Sequence, residues 1–190
     1  MKIPIINKKV LCILNTSHLF INNYLKNVVP LKKRYYDIAF LGTINYGTNS
    51  ESAKILTNHR TELCKKLSGI CEKHKLNYIV QPSISLKKYN KVLQQTKIFV
   101  SPYGWGEWSL KDYECICNGC HVIKPNIYYK SIPNYYENMD HYNDDLEKLE
   151  PLILDLLNPK NINDIQEKVN KNRELFVQYD DDKIPLDFLL

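Results

Sequence analysis

The sequence predicts an α/β domain of Rossmann-like type, an open parallel sheet with helices on both faces. Three observations predict it. Short apolar runs rich in β-branched and aromatic residues alternate with stretches of helical period. The runs are continuously apolar at their centres, as strands covered on both faces are. At 190 residues the chain is long enough to bury roughly 70% of its unfolded surface in one core.

The strands are expected at Lys9 to Leu14, Tyr36 to Leu41, Asn77 to Gln81, Lys97 to Ser101 and Cys120 to Lys124. Between the second and third, Ser52 can cap a helix whose Leu56, Leu63, Leu67, Ile70 and Cys71 recur at helical spacing. Ser85 can cap LKKYNKVLQQ, and Ser109 can cap LKDYECICN, which Gly119 ends with a left-handed residue. Past Pro125 a Tyr- and Asn-rich connection runs from Asn126 to Asn143. Two further helical patterns follow, LEKLEPLILDLL and IQEKVNKNRELF, and are expected to pack back on the sheet. Pro151 either starts the first of these or kinks it. Residues 1–30 read as an amino-terminal arm and residues 31–190 as the domain, with no repeat or low-complexity linker dividing it.

Composition narrows the function classes. The formal charge of +5 comes from 26 basic and 21 acidic residues spread along the chain, a mild bias toward anionic ligands without the stripe that nucleic acid requires. The apolar run near the amino terminus spans only Val10 to Leu14, too short for a signal peptide or membrane span, so a soluble cytoplasmic protein is expected. All six cysteines sit in apolar or helical contexts, as reduced core thiols do.

The loop SPYGWGEWS leaves the fourth expected strand at its carboxyl end, where open α/β sheets bind ligands. Gly104 and Gly106 allow close backbone approach, and the helix after them offers free amides to a phosphate. Tyr103, Trp105 and Trp108 offer flat surfaces for a base or sugar ring, and Glu107, Asp112 and Glu114 offer acceptors for hydroxyls. Upstream, Thr43 in GTINYGTNS and Arg60 on the next helix are placed to meet phosphate charge. Cys117, Asn118, Gly119, Cys120 and His121 spell the C-x-x-C-H haem-attachment pattern. They also fit a helix end, a glycine stop and a buried strand, and no second ligand pair at zinc spacing accompanies them.

The string FVSPYGWGEWSLKDYECICNGCHVIKP resembles the carboxy-terminal domain of GT-B glycosyltransferases, in particular exostosin-like and group 1 related enzymes of eukaryotes and large DNA viruses. The resemblance extends more weakly to DIAFLGT at Asp37 to Thr43, to His59 and Arg60, and to Asp144 to Leu146. The heavy use of Asn, Lys, Ile and Tyr agrees with a viral or protist source.

What the resemblance implies is transfer of a sugar from a nucleotide-sugar donor to a glycan or protein acceptor. Glu114 matches the acid that holds the nucleotide ribose. Thr43, Arg60, Tyr103, Gly104, Trp105, Gly106 and Glu107 would face the diphosphate and donor sugar, with Glu107 the catalytic candidate. Retaining members carry an acid whose position here falls on Gly106, which leaves the stereochemical outcome open. Apart from the acidic run Asp180 to Asp182 near the carboxyl end, no Asp-x-Asp pair is present to hold a diphosphate through a divalent ion, so neither a metal nor a cofactor is expected. GT-B enzymes pair two such domains, and residues 1–30 are too few for the second. That leaves a second polypeptide supplying the missing half, a shortened enzyme, or a non-catalytic nucleotide-binding or interaction domain derived from a glycosyltransferase.

Overall fold

The computed structural model describes residues 28–47, 50–82, 84–107, 109–128 and 134–180. The expected strand at Lys9 to Leu14 lies outside them, as does nearly all of the amino-terminal arm. The described strands are β1 (Tyr36–Leu41), β2 (Tyr78–Gln81), β3 (Thr96–Val100), β4 (His121–Pro125) and β5 (Asp140–Tyr142). The helices are α1 (Glu51–Lys73), α2 (Leu86–Gln94), α3 (Leu110–Cys117), α4 (Leu149–Leu156) and α5 (Ile162–Asp180).

All strand pairs are parallel, in the order β2-β1-β3-β4-β5. From β1 the chain winds through α1 to one edge, and from β3 it winds through α3 to the other. The direction of winding therefore reverses between β1 and β3, which makes that junction the topological switch point of the sheet.

Alternation along each strand divides the core in two. Ile38, Phe40, Ile98, Val100 and Ile123 face α1, α4 and the start of α5 through Leu63, Leu67, Leu149, Ile153 and Val169. Ala39, Leu41, Phe99 and Val122 face α2 and α3 through Val92, Leu93, Tyr113 and Ile116. Phe176, far along α5, joins this second cluster beside Tyr113 and Tyr135, so the carboxy-terminal helices do pack back on the sheet.

The local signals resolve in detail. Helix α1 begins two residues earlier than the sequence suggests: Ser50, not Ser52, is the N-cap, accepting from the Ala53 amide at 3.2 Å. Ser85 occupies the cap of α2 without a side-chain hydrogen bond. Ser109 caps α3 in a full capping box with Asp112, and Gly119 ends the turn at φ +68°. The helix α4 starts at Leu149, before Pro151, which lies in its first turn where a missing amide removes no helical bond and so does not kink it.

The Asn126 to Asn143 connection is not wholly irregular. Asp140–Tyr142 adds β5, pairing Ile123 with Asp140 and Pro125 with Tyr142. Three residues reading Asp-His-Tyr carry no strand signal of their own, and the open edge of β4 supplies it. Asp140 also ties this edge together, accepting from His121 at 2.8 Å and from Lys168 of α5 at 2.8 and 2.9 Å.

This arrangement makes the fold acid-sensitive. Burial lowers the pKa of His59 and of His121 below the usual imidazole value. Burial opposes ionisation of Asp140, but hydrogen bonds from His121 and Lys168 outweigh it and bring the carboxyl to about 2. All three are depressed in the folded chain, so the unfolded chain binds more protons and acid favours it. Urea midpoints should fall as pH drops below about 6.5 through the two histidines, then again between about 4 and 2 through Asp140. Asp140→Asn should flatten the second fall, as urea titrations at stepped pH will measure.

Candidate functional site

The carboxyl ends of β1 and β3 carry the two loops that flank the switch point, and one side chain joins them. Arg60 of α1 is only 5% exposed. Its Nε and Nη2 donate to the Tyr103 carbonyl at 3.0 and 2.7 Å, and its Nη1 donates to the Thr43 carbonyl at 2.6 Å. The guanidinium carbon lies 5.2 Å from the centre of the Tyr46 ring. Burial lowers the Arg60 pKa from its ordinary value, yet a guanidinium stays charged in proteins. Arg60 is therefore a buried clamp across the two loops, not a residue of a solvated helix face.

Around the clamp the expected residues separate by role. Tyr103 points inward, 8% exposed, with its ring tilted against His59 and its hydroxyl donating to the Asn126 carbonyl. Trp105 points outward and is 67% exposed, its ring edge-on to Tyr46 at 5.0 Å. Gly104 donates to the Gly106 carbonyl at 3.1 Å, closing a tight turn. A Cβ on Gly106 would meet nothing within 4 Å, and neither glycine has the positive φ that would demand glycine. Glu107 is half-buried and accepts from the Tyr128 amide at 2.9 Å, which links the loop after β3 to the chain after β4. Trp108 lies outside the described residues.

Glu114 stands on the other face of the sheet. From α3 it accepts from the Tyr89 hydroxyl of α2 at 2.5 Å. Thr43, Arg60, Tyr103 and Trp105 thus converge, while Glu107 and Glu114 each lie off that group with partners of their own.

Asp112, expected as an acceptor for ligand hydroxyls, is buried and fully engaged. It accepts from Lys124 Nζ at 2.7 Å, Ser101 Oγ at 2.5 Å, Tyr136 Oη at 3.2 Å and the Ser109 amide at 3.2 Å. Lys124 is itself 0% exposed at the end of β4. The sequence held one signal for this arrangement: Ser-x-x-Asp at Ser109 to Asp112 is a capping-box pattern. It held none for the lysine, because Lys124 reads as an interruption of an apolar strand.

The C-x-x-C-H residues are buried in the α3 to β4 turn and face different partners. Cys120 donates to the Leu93 carbonyl at 3.0 Å, whereas His121 bonds Asp140 on the neighbouring strand. Among the described residues the five cysteines are free, no cluster of three His, Cys, Asp or Glu could hold a metal ion, and no helix is long and apolar enough to cross a membrane.

The chain matches the crystal structure of TarM, a GT-B glycosyltransferase, with a TM-score of 0.54 and 17% identity over 89% of this chain. The fold is glycosyltransferase-like. The match covers 36% of TarM, so this chain spans about a third of that protein. No known family profile matches the chain, and no curated protein does. In open α/β sheets the carboxyl edge at such a switch point is the usual place for ligands.

The buried ion pair at this end of the sheet should be costly to break. Asp112→Ala leaves Lys124 charged, buried and unpaired, and should lower the unfolding free energy by about 3 to 5 kcal/mol. Asp112→Asn with Lys124→Met should recover a large part of that loss. Urea denaturation of the three variants measures both effects.

Proposed function

We propose that the chain binds a nucleoside diphosphate sugar at this switch-point crevice and acts as the donor-binding domain of a GT-B glycosyltransferase of exostosin-like type. The supporting observation is the buried Arg60 clamp. It holds the loops after β1 and β3 together at the edge where ligands enter, beside an outward-facing Trp105.

In this reading Arg60 is preorganised by its carbonyl contacts. Three of the five N–H groups of a guanidinium are engaged, which leaves two for phosphate oxygens. These donors would stabilise the diphosphate as its bond to the sugar breaks, and they need no rearrangement at that moment. Glu114 would accept from the ribose hydroxyls, with Tyr89 holding its second oxygen, and Glu107 would meet the donor sugar. The donor would be held without a divalent ion.

Transfer requires an acceptor site facing this edge. We place it on a second polypeptide or domain that supplies the other half of the clamshell. A second reading is a domain that binds the nucleotide without transferring sugar, and it is favoured by there being one sheet among the described residues. Release of free sugar from the donor, or its transfer to a glycan, distinguishes the two.

The deciding experiment is thermal unfolding against uridine, guanosine, adenosine and cytidine diphosphates and their sugar conjugates. Ligand at 100 times its dissociation constant should add about 2.7 kcal/mol, a rise of about 5 to 10 °C. The rise should be selective for one base, persist in EDTA, and disappear in Glu114→Ala. No rise with any member overturns donor binding by this chain.

A further inference from the structure

The positive charge of this chain is unevenly placed. From Lys73 to Gly106 the sequence carries six lysines and no aspartate or glutamate, so this one stretch accounts for the chain's positive balance. Lys73 and Lys97 are paired, with Glu150 and Asp37, and Lys75 lies before β2 at the other end of the sheet. Lys87, Lys88 and Lys91 of α2 are exposed, and among the described residues no acid lies within ion-pair distance of them.

Two features of α2 run against its own stability. A helix opens with partial positive charge that favours acids in the first turn, yet α2 has none there and carries Lys87 and Lys88 instead. Its first residue, Leu86, is 65% exposed, although Tyr89, Val92 and Leu93 bury the inner face of the same helix. Leu110, the first residue of α3, is 66% exposed. The two leucines stand on neighbouring helices at the carboxyl end of the sheet, where Tyr89, one turn into α2, bonds Glu114, one turn into α3. Departures from local preference gathered in one place mark a surface shaped for something outside the chain.

Exposed leucines bordered by unpaired lysines match a bilayer with anionic headgroups. The leucines enter the acyl boundary, and the long lysine stems keep their ammonium groups at headgroup level. Nucleic acid fits less well. No arginine lies between Arg60 and Arg173 to grip phosphates or bases in a fork, and the one ring of α2, Tyr89, is turned inward and cannot stack on a base.

We propose that Lys87, Lys88 and Lys91 of α2, with Leu86 and Leu110 at the rim beside them, form a surface that seats the chain on an anionic phospholipid bilayer. The contact is peripheral: no helix among the described residues is long and apolar enough to cross a membrane. It is independent of the donor-site reading, which uses none of these side chains.

Sedimentation of the whole chain with vesicles of phosphatidylcholine, alone or mixed with phosphatidylserine, tests it. Binding should require phosphatidylserine and weaken as salt is raised. Each lysine near such a surface contributes about fivefold, so Lys87→Gln, Lys88→Gln and Lys91→Gln together should weaken binding about a hundredfold. Leu86→Ser with Leu110→Ser should weaken it about tenfold at unchanged charge. Both variants should be no less stable than the parent in thermal melts, because every changed side chain is exposed.

Equal binding to the two kinds of vesicle, or binding to neither, overturns the surface. So does either variant binding phosphatidylserine vesicles as tightly as the parent. Capture of duplex RNA or DNA with the same lysine dependence, and no capture of vesicles, overturns it and assigns the patch to nucleic acid. Vesicle binding with the stated losses, in a chain that no nucleoside diphosphate stabilises, supports the surface and overturns the donor reading alone.

Discussion

Asp112 is the point at which the carboxyl end of this sheet is held. Its carboxylate takes the Lys124 ammonium from β4, the Ser101 hydroxyl from the end of β3, the Tyr136 hydroxyl from a turn of 3₁₀ helix, and the amide that opens α3. A buried ion pair adds little net stability over well-packed apolar residues, because desolvation consumes most of the attraction. Its effect here is geometrical. Once the lysine is buried, its charge has one low-energy position for the carboxylate. That position sets where α3 begins relative to β3 and β4, and hence where Lys111 and Glu114 stand.

The two ends of the sheet treat their buried cations differently. At the amino end Arg34, 4% exposed, donates to the carbonyls of Val29, Leu93, Thr96 and Asn118. Nothing larger than glycine fits beside it: a Cβ on Gly119 would lie 2.8 Å from Arg34 Nη2 and 2.3 Å from Val28 Cγ1. That end is closed by packing. At the carboxyl end Arg60 uses only part of its donor set, Lys111 rests on an aromatic face, and a Cβ on Gly106 would meet nothing. The same chemistry, a cation on backbone carbonyls, seals one end and at the other joins two loops.

The likeness to TarM extends over most of the chain and concerns the fold. Sites are carried by loops on a fold, and 17% identity does not transfer them. The switch point is set by topology alone, whereas the Arg60 clamp and the outward Trp105 belong to the loops beside it.

Four of the five described strands, the helices between them, the Ser109 cap and the Gly119 stop were legible in the sequence, because each is written in local periodicity or in one residue's backbone preference. The segment from Ser101 to Ser109 was legible as a strand-to-helix connection for the same reason: its place after a strand is a local property. Other features became visible only in the tertiary structure. Asp140–Tyr142 is a strand because β4 offers an unpaired edge. Ser50 displaces Ser52 as a cap, its side chain accepting from the Ala53 amide. Lys124 and Asp112 are separated by most of a helix and a turn, and Arg60 meets the Tyr103 carbonyl from 43 residues away. Charge pairing and the joining of loops depend on distances between segments remote in sequence, and the fold of the sheet is what sets those distances.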